Sequence, residues 1–353
     1  MSAIIKKDLN EIIAGMGDDI RKLEGKTILI SGGAGFLGSY IVALINELNG
    51  QKLSKECSII SLDNYISGKK NRLSGLNIDK NFIKLIKADV TKPIKISKKI
   101  DYVIHAAGIA SPIYYQKYPV ETIESAIFGA KYLLELSREK KVKSFLFFSS
   151  SEIYGDPDNK HLPTSEDYKG NVSSTGPRSA YDESKRLGES LSMVYYRRFK
   201  VPVKMVRPFN VYGPGMYPDD FRVIPSFISS ALSHKAIVVH NKGIQTRTFC
   251  YITDAVTFFL KVLLSEKNGQ VYNVGSHEKE ITILQLAQRI RKLFSYNIPI
   301  KQITYPNTYP QDEPKRRLPN ISKIIKETGY SPKINLETGL KRMIKWYIDE
   351  NII

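Results

Sequence analysis

The 353 residues hold 42% hydrophobic and 25% charged side chains, an ordinary balance that supports a buried core spread over two lobes and excludes a disordered or collagen-like chain. The net charge of +18, from 53 Lys and Arg against 35 Asp and Glu, is scattered in short pairs such as Lys69-Lys70, Lys98-Lys99 and Lys140-Lys141, which predicts a solvated surface and a phosphorylated small-molecule partner rather than nucleic acid. Only Cys57 and Cys250, with five dispersed His, exclude a disulfide framework and any zinc-ligand spacing, so no metal and a reducing cytoplasm are expected.

The opening MSAIIKKDLNEII lacks the apolar core of a signal peptide, and VTFFLKVLL further on is too short and lysine-broken to span a bilayer, so no membrane partner is expected. Residues 1–25 carry Leu9, Ile12, Ile13, Met16, Ile20 and Leu23 at helical spacing, which predicts an N-terminal helical extension. From Lys26 to Arg207 the β-rich runs TILIS, CSIISLD, FIKLIKAD, DYVIHAA, SFLFFSS and VPVKMVRP alternate with helical stretches. That alternation is the signature of a doubly wound, parallel-sheet α/β domain. After Pro208 the pattern loosens into Pro and Gly clusters at 213 to 218 and 305 to 319, so residues 208–353 are expected to be mainly a smaller substrate-binding lobe, with 247–264 a candidate return to the first.

The first strand runs into GGAGFLG, placing Gly32, Gly35 and Gly38 before an apolar helix. A tight turn, close backbone approach and the free N–H groups of a helix start suit a pyrophosphate. The second strand ends in Asp63, a carboxylate that accepts from both ribose hydroxyls and repels a 2′-phosphate, so the expected cofactor is NAD. The expected cofactor residues are Gly32, Gly35, Phe36, Leu37, Gly38, Asp63, Asn64, Gly68, Asp89, Val90, Ala106 and Ala107, joined by Tyr181 and Lys185.

Tyr-x-x-x-Lys occurs three times, at Tyr65/Lys69, Tyr181/Lys185 and Tyr196/Lys200. Tyr181/Lys185 is selected because it opens a helix behind GPRSA and follows the serine-rich end of a strand. Residues four apart share a helix face, so Lys185 is expected to lower the pKa of Tyr181 and make it a base. Ser150, at the strand end, is expected to hydrogen-bond the substrate oxygen while hydride moves to a nicotinamide.

GGAGFLG, Tyr181-x-x-x-Lys185 and the serine strand end together resemble the extended short-chain dehydrogenase/reductase superfamily over residues 26 to 350. SSSEIYGDP, SEDYKGNVSSTGPRSAYDESKR, RPFNVYGPGM and GIQTRTFCYITD are similar to the UDP-glucuronate decarboxylases within it. That resemblance implies a lyase acting on a nucleotide sugar through a 4-keto sugar. Ser151 and Glu152 would assist at the reacting end of the sugar, with Ser150, Tyr181 and Lys185 at carbon 4. Because Ser151 precedes Glu152, the paired acid of a 4,6-dehydratase is missing. The same resemblance implies that Arg317, in DEPKRRLPN, receives the uronate carboxylate, that Tyr115 lies near the same end of the sugar, and that Asn210, Arg222 and Arg247 hold the nucleotide diphosphate. Helices around 119–139 and 179–199 are those with which relatives form homodimers. The chain departs from relatives at Ala126, Ser150, Gly215, Leu318 and Asn320. A 4-epimerase or 4,6-dehydratase is the alternative, and a catalytically silent NAD-binding regulator is the alternative from outside enzymes.

Overall fold

The structure, a computed structural model, describes residues 1–69, 72, 78–305 and 312–353. Lys70 and residues 306–311 of the expected Pro and Gly stretch lie outside the described residues. The first lobe runs α1 (Ala3–Met16), β1 (Thr27–Ser31), α2 (Phe36–Gln51), β2 (Ser58–Asp63), β3 (Ile83–Lys87), β4 (Tyr102–His105), α3 (Pro112–Lys117), α4 (Pro119–Lys140), β5 (Ser144–Phe148), α5 (Ser179–Phe199) and β6 (Val203–Pro208). Beyond it come β7 (Val211–Tyr212), α6 (Val223–Leu232), β8 (Ile237–His240), β9 (Thr246–Arg247), β10 (Cys250–Tyr251) and α7 (Ile252–Leu264). The chain ends through β11 (Gln270–Val274), β12 (Ile281–Thr282), α8 (Ile283–Arg291), β13 (Ile300–Ile303), β14 (Arg316–Arg317), α9 (Ser322–Thr328) and α10 (Leu336–Asp349).

Seven strands form one sheet in the order β11-β6-β5-β4-β1-β2-β3, and every pairing within it is parallel. Helices cover both faces, so the inner strands are apolar throughout: all five residues of TILIS and all five of SFLFF are buried. The edge strand β3 buries only Ile83, and Lys84 and Lys87 keep that edge from pairing with another chain. Residues 252–264 form α7, which packs against β5, β6 and β11 and buries every residue except Lys261. The seventh strand, at 270–274, lies in a segment that the sequence pattern assigns to the second lobe. Its five residues follow α7 too closely for an independent β-α unit to show in the pattern.

The N-terminal extension is a helix whose Leu9, Ile12, Ile13 and Met16 join the main core against α2, α7 and α10. Asp8 lies inside that apolar face, fully buried. Tyr40 and Tyr251 donate their hydroxyls to it at 3.1 and 2.9 Å, and Arg342 donates at 3.0 Å. Arg342 also grips Glu11 at 2.6 and 2.7 Å. Burial pushes the Asp8 carboxyl up to about 7. Among the described residues no helix is long and apolar enough to cross a membrane.

Candidate active site

The glycine turn is shaped by close approach. A Cβ on Gly32, whose φ is +78°, would sit 2.7 Å from the Ala107 nitrogen, and one on Gly38 would sit 2.2 Å from the Gly32 oxygen. Only glycine allows β1 to pass directly beneath α2 here. Phe36, Leu37 and Gly38 are the first three residues of α2, so no carbonyl one turn back accepts their N–H groups. Phe36 departs from the expected cofactor set in its side chain, which is buried against Tyr40; any part it takes in anion binding is through its backbone.

Asp63 ends β2 at the edge of this turn and accepts from the Ala34 and Tyr65 N–H groups at 2.9 and 2.8 Å. Burial raises its carboxyl above the usual range, against those two bonds. A Cβ on Gly68 would meet Asp63 Oδ1 at 2.8 Å, so the loop lies directly on the carboxylate. One cleft is lined by Gly32, Gly35, Asp63, Asn64, Gly68, Asp89, Val90, Ala106, Ala107 and Gly108, together with Ser125, which sequence reading did not single out. Asn64 and Asp89 hold their own loops, accepting from the N–H groups of Ile66 at 3.1 Å and Thr91 at 3.0 Å. At the cleft floor His105 donates Nε2–H to the Ser125 carbonyl (3.1 Å) and accepts at Nδ1 from Ser31 (2.8 Å), with burial pushing it down to about 3 and so keeping it neutral. A narrow cradle with free helix N–H groups and one carboxylate at its rim fits a dinucleotide with an unphosphorylated ribose.

Beyond the cleft, the end of β5 meets the first turn of α5. Ser150 caps the short turn Ser151–Tyr154, accepting from the Glu152 N–H at 3.2 Å, and its side chain hydrogen-bonds Tyr181. Lys185 lies one turn along α5, buried, and donates to the Phe148 carbonyl at 2.8 Å. A Cβ on Gly108 would come within 3.1 Å of its Nζ, so the ammonium borders the cofactor cleft. Burial pushes Lys185 down to about 8 and Tyr181 up to about 12, the latter against the Ser150 hydrogen bond. The expected lowering of Tyr181 by Lys185 is therefore not present in the protein alone. Desolvation of the phenol outweighs the Ser150 hydrogen bond, and the Lys185 nitrogen stands 5.9 Å from the ring centre.

The structure brings Glu152 and Arg317 together across 165 residues of chain, Arg317 Nη2 donating to Oε2 at 2.7 Å. Arg178 donates to the same oxygen. Tyr115 stacks on Tyr181 with ring centres 5.3 Å apart, and the Arg178 guanidinium lies 5.9 Å from the Tyr115 ring centre. Asp182 completes the group, its Oδ2 3.5 Å from Arg178 Nε, and burial beside Glu152 pushes its carboxyl up to about 7. Four buried polar atoms here lack a hydrogen-bond partner among the described residues: Tyr115 Oη, Arg178 Nε, Asp182 Oδ1 and Arg317 Nε. Buried polar atoms without partners are uncommon, and these four belong to side chains grouped around Glu152.

Arg317 reaches this place through β14, which pairs in parallel with β9 so that Arg317 lies beside Arg247. Strand alternation turns Arg316 the other way, to Glu280 and Asn159. Two residues expected at the diphosphate also hold protein partners. Arg247 gives both terminal nitrogens to the carbonyls of Thr246, Pro314 and Lys315 and to Glu313, and burial next to Arg317 pushes it down to about 10. Asn210, at φ +42°, donates to the Thr248 carbonyl at 2.8 Å. Arg247 also lines a cavity with Thr248, Phe249, Lys279 and Arg289. Arg222 is paired through two nitrogens with Asp220 at 2.6 and 2.9 Å. Arg178 and Asp182 were missed by sequence reading, although a signal existed: positions 178, 181, 182 and 185 fall on one helix face.

Residues 28–275 match the NAD dependent epimerase/dehydratase family. UDP-glucuronic acid decarboxylase 5 of Arabidopsis thaliana is 38% identical over 316 residues, covering 90% of this chain and 87% of that protein. UDP-glucuronic acid decarboxylase 1 of Danio rerio is 34% identical over 363 residues, covering 98% and 82%. Among solved structures, a UDP-N-acetylglucosamine 4-epimerase from Methanobrevibacter ruminantium M1, in complex with UDP-N-acetylmuramic acid, superposes with a TM-score of 0.80 at 26% identity, covering 93% of this chain and 99% of that one.

Proposed function

We propose, since this chain belongs to the NAD dependent epimerase/dehydratase family, that it converts UDP-glucuronate to UDP-xylose and carbon dioxide, with NAD restored in each turnover. The observation that carries the reading is the Glu152 cluster: two arginines and four unpartnered polar atoms lie beside the Tyr181 and Ser150 hydroxyls, with a serine where a dehydratase would need a second acid. The curated relatives of matching length support it.

Bound NAD supplies a hydride acceptor, and then a donor, for carbon 4 of the sugar. Tyr181 takes the proton of the carbon 4 hydroxyl, and Ser150 holds that oxygen. The resulting ketone is β to the carboxylate, so the carbon 5–carbon 6 bond breaks with its electron pair passing into an enolate, which Tyr181 and Ser150 stabilise. Arg317 holds the carboxylate until it leaves as carbon dioxide, and a proton from solvent, positioned beside Glu152, adds to carbon 5. Pairing too tight would stabilise the substrate as much as the transition state.

A homodimer fits this reading: α4 and α5 pack side by side and expose Val120, Ile123, Phe128, Leu187 and Val194. A reducing cytoplasm suits Cys57 and Cys250, both free and buried. The test is carbon dioxide release from UDP-glucuronate with NAD, and identification of a UDP-pentose by NMR. Glu152→Gln is expected to lower that rate by about 100-fold or more; an unchanged rate would remove Glu152 from the chemistry.

A further inference from the structure

Arg317 binds a carboxylate best through the edge formed by Nε and Nη2, where two parallel N–H groups meet two oxygens. In this structure that edge is half occupied. Nη2 donates to Glu152 Oε2, while Nε is buried without a partner. A substrate carboxylate can take the whole edge only if Glu152 gives up Nη2. Glu152 would then be a buried anion beside a second anion, an arrangement that costs heavily unless another cation holds it.

Arg178 is that cation. It already donates to Glu152 Oε2, it is 4% exposed, and it rests over the Tyr115 ring that stacks on Tyr181. Its place at the start of α5 fixes it to the element that carries Tyr181 and Lys185. We propose that Arg178 is the positioning residue of Glu152: it retains the Glu152 carboxylate when the substrate carboxylate takes the Nε–Nη2 edge of Arg317. Glu152 thus occupies the substrate's place on Arg317 in the free enzyme and moves wholly to Arg178 in the complex. Asp182, 3.5 Å from Arg178 Nε, is the other carboxylate on this guanidinium and keeps it seated. This inference rests on the uronate reading above and adds a means of discrimination, because only a substrate bearing a carboxylate has to displace Glu152.

The test is a double-mutant cycle in binding, by calorimetry on the full chain with NAD present, comparing UDP-glucuronate with UDP-xylose, which lacks the carboxylate. Arg178→Met is expected to weaken UDP-glucuronate by about 10-fold, a coupling typical of contacting charged groups, and to leave UDP-xylose within about 2-fold. In the Glu152→Gln background, where no anion needs rehousing, the same substitution is expected to cost no more than about 2-fold for either ligand. Arg178→Lys, which keeps the charge, is expected to recover part of the loss and guards against misreading an unfolded variant. A loss of equal size for both ligands, a loss that persists in Glu152→Gln, or no loss at all would overturn the proposal. The second of these results would mean that Arg178 holds the substrate directly. Carbon dioxide release by the unsubstituted enzyme is scored separately, so an enzyme that binds UDP-glucuronate without decarboxylating it sinks the proposed reaction and not the role of Arg178.

Discussion

At the scale of single residues, Lys185 carries a cost in stability that its place in the proposed reaction would explain. Burial takes the Lys185 ammonium from 10.5 down to about 8. Between those values the unfolded chain binds more protons, so the stability of the fold rises with pH across that window, and at neutral pH the charged lysine costs about 3 kcal/mol. Lys185→Met removes that cost together with the hydrogen bond to Phe148, worth about 1 kcal/mol. The melting temperature of Lys185→Met at pH 7 is therefore expected to equal or exceed that of the natural chain, while kcat/KM falls by about 1000-fold. A stability loss matching the activity loss would make Lys185 an ordinary core residue. Tyr181 contrasts with it: its phenol, up at about 12 in the protein alone, stays protonated at neutral pH until a positive nicotinamide ring is near.

At the scale of elements, α1 is part of the fold. Leu9, Ile12, Ile13 and Met16 are buried, and at about 1.5–3 kcal/mol for each buried apolar side chain they contribute an amount comparable to the whole stability of a typical domain, about 5–15 kcal/mol. Deleting residues 1–16 would also strip Asp8 from Tyr40, Tyr251 and Arg342. The deletion is expected to abolish cooperative thermal unfolding as followed by circular dichroism; an unchanged transition would show the helix to be an accessory. The helix itself was legible in the sequence, because apolar positions at helical spacing need no partner to be seen. Its role was not, because the residues gripping Asp8 are at positions 40, 251 and 342. The same limit separates the rest of the site. GGAGFLG and Tyr181-x-x-x-Lys185 are local patterns with local causes. That Arg247 would donate to the carbonyls of Pro314 and Lys315 depends on β9 meeting β14, a contact across some seventy residues that no spacing encodes.

At the scale of the whole molecule, β5, α5 and β14 converge, so residues from distant parts of the chain share one carboxylate. Helices α4 and α5 expose the apolar side chains named above, and α5 also carries Tyr181 and Lys185, so assembly through them would brace the site. Light scattering is expected to give twice the mass of the chain, and Phe128→Glu to give the single mass with a slower enzyme. A monomer in both cases would leave that apolar face to some other use. The central claim is that carbon 4 is oxidised and then reduced by one bound NAD around the loss of carbon dioxide. Its most direct test is UDP-glucuronate carrying deuterium at carbon 4, turned over with ordinary NAD in ordinary water. Retention of the deuterium at carbon 4 of the UDP-pentose, with carbon dioxide released in equal amount, is the predicted result; a product that has lost the label, or a label kept without carbon dioxide, would contradict it.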